Sequence, residues 1–185
     1  MSVLSHEPAT ALGPRPSHFL DVAGEAFAGY RFAWTRMDDV ATECGVSKPY
    51  LYKLFGSKAG LYEAVVRRLD DAVRTALAES PGARGLQVLL EVLDHQRHLW
   101  TVTFDPTAPF VPGDDSPVTA CRERLTGLAL LTLPTERVRV PRSRHDELLD
   151  RAVHHGAGRA LVDWWATHPE ESARAVLDRL GRLYR

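Results

Sequence analysis

The chain has 185 residues with 44% apolar side chains, enough for one compact core or two small ones and too apolar for a disordered protein. Its 23 Lys and Arg against 24 Asp and Glu leave a net charge of -1, which excludes a uniformly basic polymer-binding protein. No run approaches the roughly 18 consecutive apolar residues of a membrane span, and the N-terminus lacks a basic flank followed by an apolar run, so a cytoplasmic protein without membrane contact is expected.

Taken in chain order, residues 1–16 hold Pro8, Pro14 and Pro16 without periodicity and are expected to form a disordered tail. From Ser17 to Ala28, Phe19, Leu20, Ala23, Ala26 and Phe27 recur on one face of a first helix. Thr35 is placed to cap a second helix whose inner face is Met37, Val40, Ala41 and Cys44. Gly45 then suits a tight turn, and Ser47 opens a short third helix with Leu51 and Phe55 on its apolar side and Gly56 at its end. Ser57 caps a long fourth helix running to Glu79, striped by Leu61, Tyr62, Val65, Val66, Leu69, Val73 and Leu77.

Pro81 to Gly85 reads as a hinge. Beyond it, Leu86, Leu89, Leu90 and Leu93 mark a fifth helix, His98 to Phe104 a sixth, and Val118, Cys121, Leu125, Leu128 and Thr132 a seventh after a Pro-rich loop over residues 105–117. Glu136 to Val140 alternates like a strand but has nothing to pair with, so it is read as loop. Two further helices, His145 to Thr167 and Glu170 to Tyr184, split at His168-Pro169. The fold class predicted is all-α, about nine helices, with a helix-turn-helix domain over residues 17–62 and a helical domain over residues 63–185.

Charge is distributed unevenly along this frame. Lys48, Lys53 and Lys58 are all the lysines of the protein, and they fall in Cys44 to Tyr62, which holds no Asp or Glu. Because screening at physiological salt limits a charge's reach to roughly 8 Å, this local surplus outweighs the neutral total and suits phosphate. Helix, Gly turn, helix is the arrangement that places a second helix in the DNA major groove. Lys48 and Tyr50 occupy its first exposed turn, where Lys48 can donate to guanine and Tyr50 can offer a hydroxyl or pack on a thymine methyl; Pro49 beside them makes apolar contact only.

Over Ser17 to Ala64 the chain resembles the TetR family of one-component transcriptional regulators. The resemblance rests on FLDVAGEAFA from Phe19, TRMDDVA from Thr35, GVSKPYLYKLF from Gly45 and GSKAGLY from Gly56. It implies a homodimer on a near-palindromic double-stranded DNA operator, with Thr35, Ser47, Tyr52, Lys53 and Lys58 on the phosphate backbone. It implies a repressor released by a small-molecule effector, with Leu93, Trp100, Phe104, Phe110, Leu125 and Trp164 lining its pocket and a hydrophobic or aromatic effector within. The last two helices resemble the family's dimerisation pair, with Leu149, Val153, Gly156, Ala160, Val176, Leu177 and Leu180 at the interface. One position departs from the pattern: where the family usually has Gly after the first helix, this chain has Arg31, so that either Gly29 closes the helix early or Arg31 is strained.

Other classes carry less. A helical ligand-binding or interaction protein with little operator-specific binding would lack salt-dependent DNA affinity, and a nucleoid-type binder would lack sequence preference. No Gly-rich phosphate loop or nucleophile elbow points to an enzyme, and no cofactor is expected. Asp94 with His98 and Asp150 with His154 have i, i+4 spacing, but without a His-x-x-x-His pair or Cys cluster no metal site is expected. Cys44 and Cys121 lie on apolar helix faces and read as small buried hydrophobes.

Overall fold

The computed structural model describes residues 16–82, 84–110, 115–129 and 143–183. Its elements in chain order are α1 Pro16–Trp34, α2 Met37–Glu43, α3 Lys48–Phe55, α4 Lys58–Glu79, α5 Gly85–Leu93, α6 His98–Thr103, α7 Pro117–Leu128, α8 Arg144–Ala166 and α9 Ala173–Leu183. The described residues are all-α, as the periodicity predicts. Of the expected tail at 1–16, residues 1–15 lie outside them, as do Thr132 and the Glu136–Val140 loop, whereas Pro16 is not tail but the first residue of α1.

The apolar faces read from the sequence meet in one core. Phe19, Ala23 and Phe27 of α1 pack with Met37 and Val40 of α2, Leu51 of α3 and the α4 stripe, and that stripe continues into Leu89 and Leu93 of α5, Leu125 of α7 and Trp165 of α8. Helix α4 touches α1, α3, α5, α6 and α7, so it belongs to both halves of the molecule and runs unbroken across the expected boundary at residues 62–63. At its N-terminal end Tyr62 is enclosed by Phe27, Phe32 and Phe110, with its hydroxyl donating to the Val102 carbonyl. Burial pushes the Tyr62 phenol up to about 12, so it stays a neutral donor across the physiological range.

Local chemistry sets the reader's turns. Gly45 has φ 69, which costs a glycine little, and Val46 N–H returns to the Ala41 carbonyl to close the turn between α2 and α3. Ser57 caps α4 by accepting from Gly60 N–H at 2.9 Å. Ser47 sits at the N-cap of α3 as expected, but its hydroxyl makes no cap bond. The second helix is capped differently from the expectation: its N-cap is Arg36, and Thr35 stands one residue earlier.

Gly60 is required by close approach. A Cβ there would lie 2.1 Å from the Phe55 carbonyl oxygen, a backbone atom that cannot swing aside. Helix propensity alone favours Ala over Gly by about 1 kcal/mol. We expect the clash to reverse that sign, with Gly60→Ala destabilising by about 1–3 kcal/mol in urea unfolding; a stabilised variant would contradict the packing of α3 on α4.

The end of α1 resolves the Arg31 alternative. The helix continues through Gly29, and the break comes at Arg31, with φ 61 and ψ 164, a region that is essentially glycine's own. Such a residue costs on the order of 1–3 kcal/mol and persists only where its surroundings over-determine it.

Candidate nucleic-acid interface and its adjoining cavity

Helix α3 has one face in the core and one in solvent. Leu51 is fully buried, whereas Lys48, Pro49, Tyr50, Tyr52 and Lys53 are exposed. Tyr50 is held from behind by the Phe19 ring, 6.2 Å between centroids, which fixes its direction. Lys53 makes no ion pair or hydrogen bond to another described residue and is free to meet an anion.

The other lysines are placed differently from the sequence expectation. Lys48 Nζ donates to Asp38 Oδ2 of α2 at 2.9 Å, and that bond holds its pKa above the usual lysine range. The window lacks acids along the chain but not in space, because the tight turn folds α2 back beside α3. Arg36 is near enough to oppose the charge on Lys48 and is itself exposed, so it restores a cation that sequence reasoning missed. Lys58 turns inward: its Nζ donates to the Ala33 carbonyl at 3.3 Å and lies 4.6 Å from the Phe32 ring centre, and partial burial pulls its pKa down. It neutralises the carbonyl end of α1 before it serves any ligand.

Thr35 departs from a second expectation. It is 4% exposed, and its hydroxyl donates to the Arg31 carbonyl at 2.7 Å and the Ala26 carbonyl at 3.2 Å, so its side chain is engaged with the α1 terminus rather than offered to phosphate.

The same terminus is gripped from the other half of the molecule. Asp105, 3% exposed just after α6, accepts Phe32 N–H on Oδ2 at 2.5 Å, and its Oδ1 accepts both the N–H and the hydroxyl of Thr107. Thr107 Oγ1 in turn accepts Ala33 N–H at 3.0 Å. Arg31 is therefore strained between a helix and a clamp: Thr35 and Lys58 take carbonyls of residues 31 and 33, while Asp105 and Thr107 take the N–H groups of residues 32 and 33. These partners are what hold a non-glycine residue in a glycine conformation.

Behind the clamp lies a cavity of about 500 Å³ between α6, α7 and α8, with Phe104, Asp105, Arg122, His155 and Arg159 in its wall. Of the expected pocket residues Phe104 lines it, and Trp100 lines an adjoining cavity of about 210 Å³ that shares Phe104, Asp105 and Arg159 with it. Leu93 and Leu125 are fully buried core, and Trp100 is buried with its indole N–H on Asp163 at 2.7 Å. Phe110 stacks on Tyr62 instead. Trp164 is 42% exposed and lies against His168, while its neighbour Trp165 is the buried one and donates to the Glu171 carbonyl. The two adjacent tryptophans differ by about 100° around the helix, and the sequence alone does not fix the phase.

The dimer expectation divides in the same way. Val176 is 3% exposed and belongs to the core, and Leu177 and Leu180 are half-buried against it, because α9 packs on α5. By contrast Leu149 at 66%, Val153 at 54%, Gly156, Ala160 and Trp164 form an exposed stripe along α8 at helical spacing.

The thiols are buried as read from the sequence; burial raises Cys44 and pushes Cys121 up to about 12, so neither is a thiolate at neutral pH. Among the described residues no three of His, Cys, Asp or Glu gather as metal ligands. Asp94 instead pairs with Arg97 at 2.6 Å and accepts Ala173 N–H, and His98 packs beside Gly24, its pKa lowered by burial. No described helix is long and apolar enough to cross a membrane.

Residues 19–65, the segment with this geometry, match the family model described as bacterial regulatory proteins, tetR family. Over that segment the chain is similar to the TetR family. It is 31% identical over 100 residues to the HTH-type transcriptional activator FasR of Mycolicibacterium smegmatis, a match over 49% of this chain and 46% of that relative, so the chain aligns with about half of that protein's length. Over nearly the whole chain it resembles the solved structure of a TetR-like transcriptional regulator from Rhodococcus sp. RHA1, at 25% identity and a TM-score of 0.60, covering 95% of this chain and 94% of that one. The TetR-family PfmR of Thermus thermophilus has the same fold at 15% identity and a TM-score of 0.66, covering 92% of this chain and 96% of its own.

Proposed function

We propose that this chain is a sequence-specific DNA-binding transcriptional regulator of the TetR type that acts as a homodimer in the cytoplasm and leaves a near-palindromic operator when a small molecule fills its helical half. The observation that carries this reading is the division of α3, whose Leu51 face is sealed in the core while Tyr50, Tyr52 and Lys53 stand in solvent on a helix packed against α2 and α4. A major groove admits such a helix, with Tyr50 on base edges and Lys53 and Tyr52 on phosphate. Lys48 reaches a base only by exchanging Asp38 for it, an exchange that favours guanine acceptors over other bases.

The release route runs through the clamp. Asp105 borders the cavity and holds the end of α1 with its carboxylate, so a ligand that displaces the loop after α6 frees Arg31 to relax and re-aims the reader. FasR is named an activator, and the sign of regulation follows from where the operator lies relative to the promoter rather than from this route.

Lys53 tests the reading most simply, because nothing else in the described fold depends on it. Lys53→Ala should leave thermal stability within about 0.5 kcal/mol and reduce the slope of log K against log salt by about one unit per subunit contact, equally for operator and scrambled DNA. An unchanged slope would remove Lys53 from the interface and with it the phosphate contact that orients α3.

A further inference from the structure

We propose that the cavity between α6, α7 and α8 takes an organic carboxylate, its anionic group on the Nη hydrogens of Arg159, which have no acceptor among the described residues, beside the charge of Arg122, and its apolar body against Phe104 and Pro106. This rests on the reading of the chain as an effector-controlled regulator and names the chemical class of the effector.

Two guanidinium groups enter this wall, and among the described residues only Arg159 has a carboxylate partner. Arg122 donates from Nε to the Thr103 carbonyl at 2.6 Å, from Nη1 to the Phe110 carbonyl at 3.1 Å and from Nη2 to the Asp105 carbonyl at 3.1 Å, and it also stands close enough to the Tyr62 phenol to oppose the rise in its pKa. These partners are all neutral, and no carboxylate lies within ion-pair distance of Arg122 among the described residues. Among the described residues its charge is therefore fixed at the wall without a counter-ion. Among the described residues Arg159 uses Nε alone, in an ion pair at 3.0 Å from both oxygens of Asp163, and Asp163 is held in turn by the Trp100 indole N–H. Both Nη groups of Arg159 remain without an acceptor among the described residues, and the guanidinium is laid over the Phe104 ring, 3.7 Å from its centre.

The acids nearby are otherwise engaged or outside. Both oxygens of Asp105 accept protein N–H or O–H groups, and Glu123 is exposed at the mouth. A planar carboxylate matches a guanidinium fork in two parallel charge-assisted bonds, which a neutral amide or alcohol cannot reproduce. Since Arg122 also holds the Asp105 carbonyl, a carboxylate that draws Arg122 toward the cavity competes with the loop that grips α1.

The test is calorimetric titration of the full chain with 2-naphthoate and with decanoate, each against its uncharged amide, in parallel with Arg159→Gln, a partly exposed position whose loss leaves the core intact. Each arm reports the apolar body that fits, aromatic or aliphatic. The expected result is that at least one carboxylate binds about tenfold or more tightly than its amide, and that Arg159→Gln abolishes this preference while circular dichroism stays unchanged. Equal affinity for acid and amide, absence of binding by both acids, or a preference that survives Arg159→Gln would overturn the proposal. Operator affinity is measured on the same preparation by fluorescence anisotropy without ligand, so failure to bind DNA counts against the regulator reading, and calorimetry alone decides the cavity.

Discussion

Asp105→Ala is expected to destabilise the protein by about 3 kcal/mol or more, since it removes a buried carboxylate that accepts three protein donors and leaves Phe32 N–H without its partner. Against a typical total of about 5–15 kcal/mol this is a large loss, visible as a lower urea midpoint at unchanged slope. The mechanism makes a further demand. If the carboxylate's main task is to hold Arg31 in a conformation that suits only glycine, then Arg31→Gly should stabilise the parent by about 1–3 kcal/mol and recover part of the loss in the double variant. Strict additivity of the two changes would show that Asp105 and Arg31 are independent, and an Asp105→Ala loss under about 1 kcal/mol would show that the clamp does not bear on the fold.

The second large effect concerns assembly. Val153→Arg places a charge in the middle of the exposed α8 stripe, between Leu149 and Gly156, at a position that lies outside the core of the described fold. Helical content should therefore be retained while sedimentation equilibrium shows a monomer, and operator affinity should fall by about two orders of magnitude or more as the two half-sites cease to be bound together. Leu177→Arg is the informative contrast, because Leu177 packs on the core: it should lower stability before it alters association. A Val153→Arg protein that remains dimeric would place the interface away from α8.

How much of this is legible in the sequence follows from what kind of information each feature needs. The α4 stripe from Leu61 to Val73, the Gly45 turn and the Ser57 cap depend on spacing and on one residue's own geometry, so they can be read directly. Lys48 reads as unpaired because Asp38 is ten positions away and meets it only after the turn forms. Thr35 and Lys58 are polar residues near a reader, and only the folded chain reveals that both are engaged with the end of α1. The departure at Arg31 is visible in the sequence, whereas Asp105, which holds its neighbour, is 73 residues distant from Phe32 and carries no local signal beyond its place before Pro106. On α8 and α9 the apolar residues stand out, but which of them face the chain's own core and which face solvent depends on the packing of α9 against α5.

Sequence-specific reading of DNA by α3 is tested by selection of bound sequences from random duplex DNA followed by footprinting. The expected outcome is enrichment of a near-palindrome whose half-sites lie about one helical turn apart, protected symmetrically, with Tyr50→Ala relaxing discrimination at the same position in both half-sites by about 1–3 kcal/mol. Recovery of no enriched sequence, or protection that Tyr50→Ala weakens equally on operator and scrambled DNA, would contradict it.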